Sequence, residues 1–127
     1  MENSPANRSV VFHELGGPEV LRVEHVPPAV PAAGEVRLRV HAIGLNRAEA
    51  MFRQGQYPPQ SPQLPSKIGY EAVGVVEAVG ENVQRLCVGD RIATLPTFAM
   101  SRHGVYGDTA VVPASAVVAW PEPLSPE

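Results

Sequence analysis

The 127-residue sequence has a single cysteine, Cys87, and therefore cannot form an internal disulfide bond. One thiol also cannot supply the cysteine cluster of a structural zinc site. No apolar run reaches the roughly 20 residues that a membrane-spanning helix needs. The polar start MENSPANRS lacks the apolar centre of a signal peptide. We therefore expect a cytoplasmic protein with no membrane partner.

Basic residues are also few, and nucleic-acid binding is the function that their scarcity excludes. The sequence has 10 Lys and Arg residues against 13 Asp and Glu residues, which gives a formal net charge of −3. A nucleic-acid-binding domain usually presents a basic face. Here the basic residues are scattered, and Lys67 is the only lysine. We expect no nucleic-acid partner.

The motifs that bind a dinucleotide are missing from the sequence as well. No Gly-x-Gly-x-x-Gly follows a predicted strand. Strands do not alternate with long helical segments, as they would in a parallel sheet with crossover helices. The phosphates and ribose of a nucleotide cofactor therefore have no predicted binding elements in these residues.

Proline and glycine are plentiful, and they divide the chain into short segments. The 14 prolines and 11 glycines favour short strands over long helices. Apolar and polar residues alternate most regularly in Val36–Ile43. The predicted strands are Arg8–Phe12, Val20–His25, Val36–Ile43, Tyr70–Val79, Arg91–Leu95, Gly107–Val112 and Val117–Trp120. Many short strands with one or two short helices predict a mainly β fold, a partly open β-barrel.

One helix is predicted, from Asn46 to Arg53. Asn46 is a favourable N-cap residue, and Glu49 three residues later completes a capping-box pattern. Arg53 lies four residues after Glu49, where opposite charges stabilise a helix. Gly55 is placed to end the helix, and the prolines of Pro58–Pro65 predict an extended loop.

Glycines recur inside the strand predicted around residues 69 to 80. Gly69, Gly74 and Gly80 are five and six residues apart in an otherwise apolar stretch. Glycine weakens a strand interior, so its repetition indicates a bulge or a close approach of another backbone. We expect a strongly curved sheet with a tightly packed neighbour.

Two motifs resemble the N-terminal, GroES-like catalytic domain of the medium-chain dehydrogenase/reductase superfamily. The first is GYEAVGVVEAVGENV, Gly69 to Val83, which is followed by Gly89-Asp90-Arg91-Ile92. The second is GLNRAEAMFRQGQYP, Gly44 to Pro58, and resembles the zinc-independent quinone reductase branch. The resemblance extends over about Arg8 to Pro123.

The resemblance implies a function as well as a fold. Zinc-dependent members of the superfamily have a cysteine ligand and a histidine ligand where this chain has Asn46 and Tyr70. The implied reaction is hydride transfer from NADPH to a quinone or an α,β-unsaturated carbonyl, without zinc. Without a metal ion that polarises the substrate oxygen, hydrogen-bond donors must stabilise the developing charge.

The resemblance also implies site residues. The nicotinamide would lie beside Asn46. The catalytic residues would be Tyr57, which would donate a proton to the substrate, Asn46 as a second hydrogen-bond donor, and Tyr70 as a supporting wall. The other residues expected at the substrate cleft are Arg53, Phe98, Met100 and Tyr106.

Physical reasoning alone leaves each of these side chains a structural role. Asn46 can serve as a helix cap, and Glu49 is a capping partner rather than a catalytic acid. Tyr57 can be a surface anchor. Glu71 is expected to find a hydrogen-bonding partner, because an unpaired buried carboxylate is costly. The candidates at the cleft from Phe98 onward can equally pack in the core.

The domain organisation follows from the same resemblance. We expect residues 1–7 to be disordered, residues 8–120 to form the GroES-like substrate-side domain, and residues 121–127 to lead toward an absent Rossmann domain. That C-terminal Rossmann domain would be the partner within one enzyme, a homodimer in its full-length form, and the chain alone would be inactive. Two alternatives stay open: a stand-alone GroES-like binding or assembly module without catalysis, and a zinc-type alcohol dehydrogenase domain.

Overall fold

Strands dominate the computed structural model, which describes residues 7–121 and 124–127. The disorder predicted for residues 1–7 falls outside the described residues except at Asn7, whose side-chain amide donates to the carbonyl of Val26 at 3.0 Å. Residues 122–123 of the predicted connecting segment also lie outside the described residues. The strands are β1 (Arg8–Phe12), β2 (Leu21–His25), β3 (Glu35–Gly44), β4 (Ser66–Lys67), β5 (Glu71–Val79), β6 (Arg91–Thr94), β7 (Thr109–Pro113) and β8 (Val117–Ala119). The helices are α1 (Arg47–Arg53), α2 (Met100–His103) and the 3₁₀ turns Pro18–Val20 and Ala114–Ala116.

The strands form two antiparallel sheets. One has the order β2-β1-β4, and the other has the order β7-β3-β5-β6-β8. A bridge between Ser9 and Gly107 connects the two, and the amide of Val10 donates to the carbonyl of Tyr106 at 2.8 Å. Within the described ranges neither sheet closes on itself. The mainly β prediction with short helices is therefore confirmed, and the barrel is open.

Predicted and observed elements differ mostly at their ends. Val20 ends a 3₁₀ turn, so β2 begins one residue later than predicted. The helix begins at Arg47, with Asn46 as its N-cap. The sequence did not predict β4 or the single turn α2, because each is too short to show a period.

The core lies between the sheets and α1. The rings of Phe12 in β1 and Phe52 in α1 meet edge to face, with centroids 5.8 Å apart. Leu38 of β3 and Ile92 of β6 are fully buried. Complete burial of such a side chain stabilises the fold by about 1.5–3 kcal/mol. Asn46 directly precedes α1 and Tyr70 directly precedes β5, so the elements packed on this core position these two predicted site residues.

The repeated glycines mark close backbone contacts, as the sequence predicted. A Cβ atom on Gly74 would lie 2.0 Å from the carbonyl oxygen of Arg39, and one on Gly80 would lie 1.9 Å from that of Ala32. The register between β3 and β5 also shifts beside Gly74, between Val40 and Ala42. Side chains at these two glycines would push the backbones apart and open the sheet.

Candidate functional site

Asn46 lies where β3 passes into α1, and its side chain faces β5 rather than the helix. Its backbone has the extended conformation of an N-cap residue, with φ −127° and ψ 146°, but its side chain makes no capping hydrogen bond. Instead Nδ2 donates to Oε2 of Glu71 at 2.8 Å. Both side chains are exposed. The predicted position of Asn46 is confirmed and its predicted capping bond is wrong. Glu71 has a hydrogen-bonding partner, as expected, but it lies exposed rather than buried inside the barrel.

Glu49 is not a capping partner, although its spacing from Asn46 predicted one. The residue is only 4 % exposed, and its Oε1 accepts a hydrogen bond from the Tyr106 hydroxyl at 2.9 Å. Its Oε2 is buried without a hydrogen-bond partner within the part of the chain that the structure describes. A tertiary donor displaced the local capping bond because burying the carboxylate required a strong partner.

Arg53 does not pair with Glu49 either. Its Nε donates to the carbonyl of Gly16 at 3.0 Å, and the amide of Gly16 donates to the carbonyl of Arg53 at 3.2 Å. The ion pairs among the described residues do not include the expected pair on the helix. Arg53 thus ties α1 to the turn after β1, and this contact places it apart from the other site candidates.

Tyr57 and Tyr70 form the centre of the candidate site. Their hydroxyl oxygens are 3.4 Å apart, and their rings meet edge to face with centroids 6.3 Å apart. Phe98 packs on the other side of Tyr70, at 5.7 Å between centroids. Tyr57 is half-buried, whereas Tyr70 and Phe98 are each 5 % exposed. The pair therefore has one phenol at the surface and one beneath it.

Gln60 is the residue of this cluster that sequence reasoning missed. Its Nε2 donates to the hydroxyl oxygen of Tyr70 at 2.6 Å and to the carbonyl of Phe98 at 3.0 Å. Its Oε1 accepts from the amide of Met100 at 2.9 Å. These partners lie up to 40 residues away in sequence, and a glutamine in a proline-rich loop carries no local signal of such contacts.

The phenols of Tyr70 and Tyr106 are held in their neutral form. Burial raises the pKa of Tyr70 well above its ordinary value, and the hydrogen bond with Tyr57 adds to that effect. Burial also raises the pKa of Tyr106, with a further rise from its hydrogen bond to Glu49. Neutral phenols keep their protons at physiological pH and can donate them in hydrogen bonds.

The predicted site residues fall into two adjacent groups and one outlier. The first group contains Tyr57, Tyr70, Phe98 and Met100, joined through Gln60. The second contains Asn46 and Tyr106, whose partners Glu71 and Glu49 lie at the start of β5 and on α1. Phe98 and the fully buried Met100 serve as core residues beneath the pair rather than as an open wall. Arg53 is the outlier.

An open cavity of about 460 Å³ lies beside the second group, and its lining includes Ile43, Gly44, Glu71 and Thr94. Through Glu71 it reaches the Asn46 hydrogen bond. Another open cavity, of about 840 Å³, is lined by Arg8, Arg39 and Asp108, among others. None of the predicted site residues lines either cavity, and only the smaller one includes a hydrogen-bond partner of a predicted site residue, Glu71.

Two further features bear on the function class. Among the described residues, no three His, Cys, Asp or Glu side chains are grouped as a metal ion would require. Over the same residues, no helix is long and apolar enough to cross a membrane.

Comparisons with known proteins point to one family. The family described as alcohol dehydrogenase GroES-like domain matches residues 32–122. The chain is 40% identical over 116 residues to a quinone oxidoreductase of Salmonella typhimurium, covering 91% of this chain and 34% of that protein. A quinone oxidoreductase of Pseudomonas syringae pv. Tomato superposes with a TM-score of 0.85 at 38% identity, over 94% of this chain and 35% of that one. The Escherichia coli quinone oxidoreductase complexed with NADPH superposes with a TM-score of 0.78 at 35% identity, over 95% and 35%. The chain thus spans about a third of the length of these relatives.

Proposed function

The chain belongs to the alcohol dehydrogenase GroES-like domain family of the medium-chain dehydrogenases/reductases, and we propose that it forms the substrate-side domain of a zinc-independent, NADPH-dependent oxidoreductase. The proposed substrates are quinones or α,β-unsaturated carbonyls. The observation that carries the proposal is the Tyr57–Tyr70 pair, with hydroxyls 3.4 Å apart and the outer phenol half-buried. It places a phenol hydroxyl at the surface of the domain, in contact with Tyr70, the residue before the Asn46 partner Glu71.

The proposed role of this chain is to supply a proton and to orient the substrate. NADPH, when bound, supplies the hydride. As the hydride reaches a quinone or an enone, negative charge develops on the substrate oxygen. Tyr57 donates its hydroxyl proton to that oxygen, or stabilises the charge by a hydrogen bond. One hydride and one proton convert a quinone to a hydroquinone, or an enone to its enol, which then tautomerises to the saturated carbonyl.

Asn46 fits the cofactor part of this proposal. Its Nδ2 is held by Glu71, and its Oδ1 accepts no hydrogen bond among the described residues. An amide oxygen held in this way can accept a hydrogen bond from the carboxamide of a nicotinamide. The two sheets are antiparallel, so the crossover units that hold cofactor phosphates are not formed by the described residues. We assign that task to a Rossmann domain, the proposed partner.

Asn46 and Tyr70, which stand where zinc-dependent members of the superfamily have zinc ligands, support a zinc-independent reaction. Zinc in proteins is bound mainly by thiolate, imidazole and carboxylate groups. Here the two positions hold an amide and a phenol, and each is already hydrogen bonded, Asn46 to Glu71 and Tyr70 to Gln60. Burial raises the pKa of that phenol, which disfavours the anionic form that a metal ion would bind.

The test uses the complete polypeptide that contains this sequence. NADPH oxidation is followed by absorbance with a benzoquinone and with a small enone as acceptors. We expect turnover with at least one acceptor, and we expect Tyr57→Phe to lower kcat about 100-fold. Full activity of Tyr57→Phe would overturn the donor role. In parallel, NADPH fluorescence with the 127-residue chain should show no saturable binding, because the phosphates lack partners there.

A binding or assembly module without catalysis is the second candidate, and the exposed apolar residues beside Asn46 favour it. Leu45 is 80 % exposed and Ile43 is 43 % exposed, so a partner that bound next to Asn46 would bury apolar surface. A Rossmann domain would cover these side chains in the first proposal. Size-exclusion chromatography separates the two: a self-associating module gives one defined oligomer at all concentrations, whereas an uncovered domain surface gives concentration-dependent, mixed species.

A further inference from the structure

The side-chain amide of Gln60 has only one orientation that satisfies its backbone neighbours. The amide N–H of Met100 can only donate, so the atom 2.9 Å from it must be the oxygen Oε1. The carbonyl of Phe98 can only accept, so the atom 3.0 Å from it must be the nitrogen Nε2. Two main-chain groups therefore hold Nε2 toward Tyr70.

This orientation determines the direction of the O–H bond of Tyr70. Nε2 has two hydrogens, and the one not used by Phe98 donates to the Tyr70 hydroxyl oxygen at 2.6 Å. Since that oxygen accepts from Gln60, the hydrogen of Tyr70 must point elsewhere. Its other described neighbour is the hydroxyl oxygen of Tyr57, at 3.4 Å. Tyr70 therefore donates and Tyr57 accepts.

The hydrogen of Tyr57 is left available as a result. Apart from the Tyr70 oxygen, which accepts from Gln60 and whose hydrogen points to Tyr57, no acceptor for it lies within hydrogen-bonding distance in the part of the chain that the structure describes. Tyr57 is also the outer phenol of the pair, half-buried above the 5 % exposed Tyr70. The hydrogen bonds thus form a series in which Gln60 donates to Tyr70 and Tyr70 donates to Tyr57. The series ends at the Tyr57 hydroxyl, which is left as a donor toward the surface.

A tight turn holds Gln60 and Tyr57, the first and last residues of this hydrogen-bond series, close together. The amide of Gln60 donates to the carbonyl of Tyr57 at 3.1 Å, which closes a turn over Pro58 and Pro59. Proline fixes φ, so two of the four residues have little backbone freedom. Tyr57 and Gln60 therefore keep their separation without further contacts.

We propose that Gln60 is a positioning residue, which sets the direction of the Tyr70 O–H bond and so leaves Tyr57, and not Tyr70, as the proton donor. This inference rests on the reductase function proposed above. The positioning role of Gln60 requires a hydrogen-bond donor at Nε2 and an acceptor at Oε1. A leucine or an ionised carboxylate at position 60 lacks the donor and therefore cannot perform this role.

The first experiment observes the hydroxyl groups directly in the 127-residue chain. The sequence has three tyrosines, so labelling with tyrosine carrying 13C at Cζ gives three resonances. In an equal mixture of H2O and D2O, a slowly exchanging hydroxyl splits its resonance. We expect splitting for Tyr70 and Tyr106 and a single line for Tyr57. Gln60→Leu should abolish the splitting for Tyr70 and retain it for Tyr106.

Gln63→Leu is the matched control. Gln63 belongs to the same loop, is exposed, and among the described residues contributes only its backbone amide, to Ser101 at 2.9 Å. We expect the wild-type pattern of three resonances from this variant. If Gln60→Leu also retains the wild-type pattern, the proposal is wrong.

The second experiment measures kinetics in the complete polypeptide. Gln60→Leu should lower kcat about tenfold, the effect of one misdirected hydrogen bond, with KM for NADPH unchanged. Adding this change to Tyr57→Phe should lower kcat no further, because both act through one donor. Gln60→Glu should recover activity relative to wild type as pH falls, since only the protonated carboxyl can donate to Tyr70.

The outcomes separate this inference from the proposed function. Independent, multiplicative losses in the double variant, or a Gln60→Glu variant without pH-dependent recovery, overturn the positioning role. If Tyr57→Phe alone leaves kcat unchanged, the proposed donor is wrong, whereas hydroxyl exchange still decides whether Gln60 directs Tyr70.

Discussion

The hydroxyl of Tyr106 donates to the carboxylate of Glu49 across 57 residues of sequence, at 2.9 Å. The other carboxylate oxygen is buried without a partner among the described residues. Glu49 is only 4 % exposed, so its carboxylate has lost most of its hydration. Among the described residues, the hydroxyl of Tyr106 is the side-chain donor that replaces it. A hydrogen bond to a charged group is stronger than one between neutral groups, so this pair should matter to stability more than its single bond suggests.

Removing the donor should destabilise the fold measurably. We expect Tyr106→Phe to lower the free energy of unfolding by about 1.5–3 kcal/mol, because it leaves Glu49 without its described donor. In a Glu49→Gln background the same change should cost less, about 0.5–1.5 kcal/mol, because the partner is then neutral. Urea unfolding of the four proteins gives the coupling energy. Equal costs in both backgrounds would show that the two side chains do not act together.

Stability should fall in alkaline solution. The pKa values of Tyr70 and Tyr106 are raised in the folded chain, whereas an unfolded tyrosine has a pKa of about 10. Above about pH 10 the unfolded chain therefore loses protons that the folded chain keeps, and unfolding becomes easier with rising pH. Burial lowers the pKa of Lys67, which acts in the opposite direction over its own range.

Phenylalanine variants separate these contributions. Urea unfolding between pH 8 and about pH 11 should show a shallower decline for Tyr70→Phe and for Tyr106→Phe than for wild type. Gln63→Leu serves as the control, because Gln63 is exposed in the loop before β4 and does not titrate. A decline with the same slope in all three variants would mean that the two buried phenols do not cause it.

Alanine at Gly74 should prevent normal folding. Its Cβ would meet the backbone oxygen of Arg39 at 2.0 Å, and two paired strands cannot separate locally without losing hydrogen bonds. We expect a loss of more than about 3 kcal/mol. Gly17→Ala is the control, because its Cβ would meet only the flexible carboxylate of Glu19 and should cost less than about 1 kcal/mol. Thermal unfolding by circular dichroism compares the two, and equal midpoints would contradict the close contact.

Asn46 should contribute little to the stability of the fold but should be important for binding NADPH in the complete polypeptide. Its side chain makes no capping bond, so Asn46→Ala should cost less than the ~1 kcal/mol typical of a lost N-cap. In the complete polypeptide the same variant should raise KM for NADPH, since the proposed acceptor for the carboxamide is lost. A full capping penalty in urea unfolding, with normal kinetics, would return Asn46 to a structural role.

The parts of the fold that local chemistry determines could be predicted from the sequence. Alternation in Val36–Ile43 gave a central strand inside the observed β3 (Glu35–Gly44), and the spacing of Gly74 and Gly80 gave the close backbone contacts. These signals repeat within a few residues, at the period of the element itself. The start of α1 was also predicted to within one residue.

The polar contacts of the site could not be predicted in the same way. Asn46 and Glu49 have the spacing of a capping box, yet each is bonded to a side chain far along the chain, Glu71 and Tyr106. Gln60 contacts residues 10 to 40 positions away. Local capping and tertiary hydrogen bonds use the same side-chain atoms, and only the folded arrangement decides which partner is better placed.

The pairing order of the strands also has a consequence for synthesis. Strand β1 contacts a segment that is synthesised much later. The guanidinium of Arg8 donates two hydrogen bonds to the carboxylate of Asp108, 100 residues later in the sequence, each at 3.0 Å. The central strand β3 likewise lines up with β7, with Glu35 opposite Pro113. Because such distant pairings close slowly, the hydrogen bonds between Arg8 and Asp108 cannot form, and one edge of β3 stays unpaired, until β7 has left the ribosome. The chain should therefore fold late and as a unit, and a nascent chain that ends before residue 108 should remain sensitive to protease.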